Sequence, residues 1–216
     1  LRGTGREIDG SPLIALACKE PFTHYYFVDA DTKAIEALKA RIGKRSNVHF
    51  WAEDCNVAVK EIARQIPPRS LSLAFVDPTS VQMQMSTIAE LADCRRVDLL
   101  INFPEHMSIQ RIKSLKCSEA DLDAYFGSPN WKSILERARA RGEHEGDALR
   151  EVYKDRLKAL GYEAPRFGDQ LIRSDQRRPL YYLLYASKHE RGIDFWRKIT
   201  KRSHAGQEDF IGPTDE

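Results

Sequence analysis

Leu71-Ser-Leu-Ala-Phe-Val-Asp-Pro-Thr-Ser80 is the stretch on which the reading of this chain turns. An apolar run, Leu73 to Val76, stops at Asp77-Pro78. A continuous apolar run ended by turn residues predicts a strand buried on both faces of a parallel sheet. Pro78 has no amide proton and disfavours helix at Asp77, so the strand is expected to end there. That leaves a carboxylate at the carboxyl edge of a sheet, where open α/β folds place their ligands. The alternative role for Asp77 is to cap the turn.

Working outward, the same pattern recurs on both sides. His24 to Asp29 reads as a strand, and Asp31-Thr32 then caps a helix running to about Ile42, ended by Gly43. Val48 to Trp51 is the next strand, ending near Glu53-Asp54, and a helix from Asn56 to Ile66 follows. Upstream, Ser11 as N-cap with Pro12 at the first helical position predicts a helix through Leu13 to Ala17. Downstream, Met83 to Cys94 reads as a helix, and Val97 to Ile101 as a strand ending in Asn102-Phe103-Pro104. Strand and helix alternate at the spacing of βαβ units, which predicts a mostly parallel sheet with helices on both faces. Residues 1–105 then form the first part of a Rossmann-like core. His106 to Gly161 is helical and highly charged, and reads as an inserted helical subdomain or lid with a mobile segment around Arg141 to Gly146. Residues 162–202 complete the core with strand Leu180 to Ala186, an antiparallel partner near Gln170 to Ile172, and an amphipathic helix from about Gly192 to Lys201. Residues 203–216 read as a polar, frayed tail.

Composition narrows the class. The 216 residues are 42% hydrophobic and 31% charged, the values of an ordinary globular protein, with a net charge of only +2. No global basic field of the kind nucleic-acid binders carry is present. Cys18, Cys55, Cys94 and Cys117 are far apart and form no CxxC pair, which argues against a zinc ribbon and fits a reduced, cytoplasmic chain. No apolar run approaches the ~20 residues of a membrane span, and no signal peptide is visible.

Taken together, Asp29, Asp54, Asp77 and Asn102 each follow an apolar strand and would line one edge of a doubly wound sheet. Asp29 is placed to accept both hydroxyls of an adenosine ribose, and Asp54 to accept from an adenine amine. Asp77 and Asn102 would face the reacting end. Asp31 competes with Asp29, but reads better as a helix cap. His106 and His189 are acid–base candidates at the sheet edge, weighed against surface histidines in loops. Trp131, Trp196 and Tyr181-Tyr182 read as core rather than as base-stacking platforms. Arg137, Arg139, Arg141, Arg150, Lys154, Arg156 and Lys158 are interleaved with acids, which reads as a solvated helix face rather than a phosphate-binding one. No Ser-His-Asp signature, Walker loop or metal-ligand cluster is present.

Gly-Ser-Pro-Leu-Ile-Ala-Leu (10–16), Phe-Val-Asp (27–29), Phe-Val-Asp-Pro (75–78), Asp-Leu-Leu-Ile-Asn-Phe-Pro (98–104) and Pro-Leu-Tyr-Tyr-Leu-Leu-Tyr-Ala-Ser-Lys-His (179–189) together resemble the three-Cys-motif partner (TcmP) family. Tyr125-Phe126-Gly127, Trp131 and Phe195-Trp196 belong to the same resemblance, which runs in order over nearly the whole chain. That family is similar to class I S-adenosylmethionine-dependent methyltransferases and is named for its pairing with a radical-SAM-like protein carrying three cysteines. The resemblance implies a Rossmann-like methyltransferase fold with an antiparallel C-terminal strand and a helical insertion. It implies S-adenosylmethionine as cofactor, with Gly3 and Gly5 at its methionine end, Asp29 at the ribose and Asp54 at the adenine. Asp77, Pro78 and Asn102 then stand at the acceptor. The Gly-Ser-Pro and Asp-Pro segments also look like an adenine-N6 methyltransferase of ribosomal RNA.

Two departures keep alternatives open. Methyltransferases of this fold begin with a strand leading into a loop of the form Asp-x-Phe-Ala-Gly-x-Gly. Here only Gly3-Thr4-Gly5 remains, so the true start, or an ordered section, is expected to be missing from these residues; a flexible leader is the other reading of that triplet. Amino-methylating enzymes carry Asp-Pro-Pro-Tyr at the fourth strand, where this chain has Asp77-Pro78-Thr79-Ser80 and no stacking ring. The expectation is therefore a methyltransferase-like protein of unknown acceptor working with a partner. Its rivals are a catalytically degenerate partner module and a nucleic-acid base methyltransferase.

Overall fold

The computed structural model describes residues 9–78, 80–94, 96–104, 117–165, 168–173, 176 and 179–201. Gly3, Gly5, His106 and the tail from Ser203 lie outside the described residues. The protein is α/β, and its chain divides into two compact units, Leu1–Gln65 and Ile66–Glu216.

The first unit runs α1 (Ser11–Leu16), β1 (Tyr25–Val28), α2 (Thr32–Ile42), β2 (Val48–Trp51) and α3 (Cys55–Gln65). Gly10 caps α1 and Ser11 is already helical, so the cap stands one residue earlier than the Ser11 expected from sequence. Asp31 caps α2, its Oδ1 accepting from the Lys33 amide at 2.9 Å, which is the helix-start role expected of it. α2 ends at Gly43, whose φ of 70° lies in the left-handed region that favours glycine. β1 and β2 pair in parallel, Tyr25 opposite Val48 through Val28 opposite Trp51. The core is small. Ile35 of α2 and Ala58, Val59 and Ile62 of α3, at helical spacing, are buried together with Tyr25 and Val48.

The second unit runs β3 (Ser72–Val76), α4 (Met85–Asp93), β4 (Val97–Pro104), α5 (Glu119–Phe126), α6 (Trp131–Ala140), α7 (Glu145–Ala159), β5 (Gln170–Arg173), β6 (Pro179–Ala186) and α8 (Glu190–Thr200). Its sheet has the order β3-β4-β6-β5, with β3 and β4 parallel and both other pairings antiparallel. The expected β5–β6 hairpin is therefore present. In β4, burial alternates strictly along all eight residues, so the two faces of the sheet can be told apart. Leu99, Ile101 and Phe103 face the helical segment after β4, where the Phe103 ring lies 5.5 Å from Tyr153 and 6.4 Å from Tyr125. Leu100 and Leu183 lie on the other face and pack against Tyr185, Ile193 and Trp196, so α8 covers β6 there.

Three expectations are corrected. The four strands do not form one sheet, because β1–β2 is a separate pair. β3 is not buried on both faces: Leu73 and Phe75 are 46% and 44% exposed. The reason is positional, since β3 is the outer strand of its sheet with β4 alone beside it, and α8 lies over β6. Finally, β4 does not stop at Ile101. Asn102, Phe103 and Pro104 continue it by pairing with Leu183, Tyr182 and Tyr181, and Pro104 is tolerated as the last strand residue.

The segment after β4 is helical where it is described, as α5, α6 and α7. Ser118 and Asp121 form a capping box at the start of α5. Gly127 ends it at φ 66°, where an added Cβ would lie 2.8 Å from Met85. The turn between α6 and α7 is closed by Arg139–Glu145 at 2.6 Å and by the Glu143 amide donating to the Ala138 carbonyl. Among the described residues no helix is long and apolar enough to cross a membrane.

Candidate functional site

Asp77, Pro78 and Asn102 are brought together. β3 and β4 run in parallel register with Val76 opposite Ile101, so Asp77 comes level with Asn102. The Asn102 amide Nδ2 donates to Asp77 Oδ1 at 2.6 Å. Asp77 is exposed and Asn102 half-buried, so the pair stands at the carboxyl edge with the carboxylate facing solvent. Strand alternation puts Asn102 on the face of Leu100, the one α8 covers further along. Pro78 supplies no amide proton to Asp77 and α4 begins only at Met85; among the described residues the carboxylate's donor is the Asn102 side-chain amide.

In the first unit, Asp29 and Asp54 follow the carboxyl ends of neighbouring parallel strands. The Asp29 amide donates to the Trp51 carbonyl and the Glu53 amide to the Asp29 carbonyl, continuing the ladder past the strands. Asp29 Oδ1 accepts from the Asp31 amide at 2.8 Å. Asp54 Oδ1 accepts from the Asn56 amide at 2.7 Å, and the Asp54 carbonyl accepts from Val57 and Ala58, so Asp54 caps α3. Each carboxylate thus spends one oxygen on the backbone. Cys55, next to Asp54, has its thiol pushed up by burial and then by the Asp54 charge, which disfavours the nucleophilic thiolate. The single edge of four polar residues expected from sequence is replaced by two pairs, each on its own sheet.

The weaker candidates resolve as structural groups. His189 caps α8, its Nδ1 accepting from the Arg191 amide at 3.1 Å. Trp131 and Trp196 are core residues, as expected, and Trp196 Nε1 donates to the Gly168 carbonyl. The basic stretch is corrected in part. Arg137, Arg139 and Arg141 are exposed, but Arg150 and Lys154 are buried at 8% and 6% exposure. Both meet Asp169 Oδ2, Lys154 Nζ at 2.6 Å and Arg150 Nε at 3.0 Å, and Arg150 also pairs with Asp147 at 2.8 Å. The Arg150 guanidinium lies 3.8 Å from the centre of the Tyr182 ring. Burial raises the Asp169 carboxyl, while Lys154 and Arg150 oppose that shift. This cluster was missed because its acid is distant in sequence; the i,i+4 spacing of Arg150 and Lys154 with apolar Leu149, Val152, Tyr153 and Leu157 around them was the available signal.

All four cysteines are free, and among the described residues no group of three or more His, Cys, Asp or Glu side chains could hold a metal ion. No protein-family model matches this chain, and no curated protein matches it.

Proposed function

We propose that this protein is a methyltransferase-like protein that binds S-adenosylmethionine, acts on an unidentified acceptor and works with a partner protein. The observation that carries the reading is the Asn102–Asp77 hydrogen bond at the carboxyl edge of parallel strands β3 and β4. A carboxylate oriented by an amide is suited to align an acceptor N–H or O–H. Catalysis would then rest mainly on proximity and alignment, as in other in-line transfers. Asp29 and Asp54 offer carboxylate oxygens at the ends of adjacent strands, which suits the hydroxyl donors of a ribose and the amine of an adenine. The cofactor would supply an activated methyl group on a sulfonium sulfur. The resemblance to the three-Cys-motif partner family supports both the cofactor and the partner, a radical-SAM-like protein with three cysteines.

The test is calorimetric titration of the full natural protein with S-adenosylhomocysteine. Binding in the micromolar range, about −8 kcal/mol, lost in Asp29→Ala and retained in Asp77→Ala, supports the assignment of the two pairs. A second reading, a partner module that transfers nothing, is favoured by the backbone-capping work already done by Asp29 and Asp54. Absence of binding at millimolar ligand selects that reading.

A further inference from the structure

The turn between α2 and β2 concentrates positive charge. From residue 37 to residue 52 the sequence holds Lys39, Arg41, Lys44 and Arg45 and neither Asp nor Glu. Several basic side chains elsewhere are matched by acids: Arg64 with Glu61, Lys132 with Glu119, Arg139 with Glu145, Arg150 and Lys154 with Asp169, Arg197 with Asp194. None of the ion pairs among the described residues involves Lys39, Lys44 or Arg45. These three cations, with Gly43, Ser46 and Phe50, line a surface depression of about 650 Å³. Lys39 Nζ lies 5.7 Å from the centre of the half-buried Phe50 ring. A Cβ at Gly43 would meet nothing within 4 Å, so the space above the turn is open. Favourable interaction with the carbonyl end of α2 accounts for Lys39 and Arg41 in its last turn. It does not account for two further cations beyond the helix, nor for an aromatic ring set among them.

We propose that this depression binds single-stranded nucleic acid, with a base against Phe50 and the flanking phosphates at Lys44, Arg45 and Lys39. A positively charged groove that follows the backbone, combined with an aromatic face for a base, is the sequence-tolerant way proteins hold single strands. The site's cations lie in or before the turn that precedes β2 and Phe50 lies within the strand, whereas Asp29 and Asp54 follow the carboxyl ends of β1 and β2. It is therefore separate from the proposed cofactor pair and stands or falls without it.

Fluorescence anisotropy with a labelled 12-nucleotide oligouridylate tests this, using the full natural protein. With three phosphates neutralised, the slope of log affinity against log salt should be about −2, or roughly a 20-fold loss between 50 and 200 mM salt. The double variant Lys44→Glu/Arg45→Glu should weaken binding at least 10-fold at 50 mM salt and bring the slope to about −0.7. Phe50→Leu should weaken binding about 5-fold or more at both salts without changing the slope, by loss of stacking. Circular dichroism of each variant confirms that the fold is kept, and homocysteine-cofactor titration of the charge variant should match wild type. Wild-type protein that does not bind at 50 mM salt overturns the proposal. So does affinity unchanged by the charge reversal. Inorganic polyphosphate competing as well as the oligonucleotide, with Phe50→Leu silent, would reduce the site to a general polyanion surface and overturn the nucleic-acid assignment.

Discussion

The two units meet the same local problem, an acidic residue after an apolar strand, and solve it differently. In Leu1–Gln65 a helix follows each strand almost at once, so amide protons are close and Asp29 and Asp54 turn inward on the backbone. In Ile66–Glu216 the residue after Asp77 is Pro78, α4 waits until Met85, and among the described residues the carboxylate takes its hydrogen bond from Asn102 on the next strand. The first arrangement fixes a helix start; the second leaves two side chains from two strands facing one point. The units also differ in support. The first rests on a two-stranded sheet, which gains little from its own pairing, and on six buried apolar residues of modest number and size. The second buries Tyr125, Tyr153, Tyr162, Phe103 and Phe126 almost completely. A strand-end carboxylate is therefore informative about chemistry only when the residues after it cannot use it as a cap.

The difference in core depth gives the largest expected effect. Phe103→Ala should cost about 3–5 kcal/mol, read as a shift in the urea midpoint of the cooperative unfolding transition, because its ring is fully buried between Tyr125 and Tyr153. Ile35→Ala should cost nearer 2 kcal/mol, the lower end for aliphatic truncation, because the smaller core can relax around the loss. Equal costs would remove the contrast. Next comes Asp169→Asn, which leaves Lys154 buried without a counter-charge while Arg150 retains Asp147. About 3 kcal/mol is expected, the low end for removing one partner of a buried pair. Replacing Lys154 and Asp169 together by Met and Leu should recover most of that loss; failure to recover would mean the cluster contributes more than mutual compensation.

The contrast between cap and site is sharpened by smaller changes. Asp54→Ala should destabilise by about 1 kcal/mol through loss of the α3 cap. Asp77→Ala should change stability by less than about 0.5 kcal/mol, since an exposed side chain away from a cap leaves the fold intact. If the two variants unfold at the same denaturant concentration, Asp77 is structural and loses its claim to a site.

Much of this was legible in the chain. Apolar runs ended by turn or acidic residues located the described strands, and the caps at Asp31 and Gly43 fell where expected. The closeness of Asp77 and Asn102 followed from reading their strands as sheet neighbours. What escaped depends on pairing distant in sequence. Leu73 and Phe75 look like core until β3 is known to be an outer strand. Asn102-Phe103-Pro104 looks like a turn until Tyr181 to Leu183 arrive to pair with it. Arg150 and Lys154 look solvated until Asp169, across a turn and far along the chain, supplies the charge that lets them be buried. Asp29 and Asp54 were read for what they could bind, and the local amides that occupy one oxygen of each were the simpler account.

The smallest effect concerns a carboxylate whose only task is capping, and it calibrates the others. Asp121 sits in the capping box of α5, where Oδ2 accepts from the Ser118 amide at 2.7 Å and from the Ser118 hydroxyl at 2.9 Å. These bonds favour its charged form, the backbone donor most strongly, and hold its pKa below the ordinary 3.8. The sign follows from linkage. A carboxyl lowered on folding contributes stability that is fully present above its unfolded value and is lost as pH falls through its lower folded value. NMR titration of the Asp121 carboxyl carbon should therefore show a midpoint below that of an unstructured Asp. Ser118→Ala removes the hydroxyl but keeps the amide, so the midpoint should rise only part of the way, and α5 amides should exchange faster in the variant. A wild-type midpoint at the ordinary value would mean the box is not closed in solution. The hydrogen bonds that tie Asp29 to the Asp31 amide and Asp54 to the start of α3 would then need the same direct measurement before they could be contrasted with the Asp77–Asn102 pair.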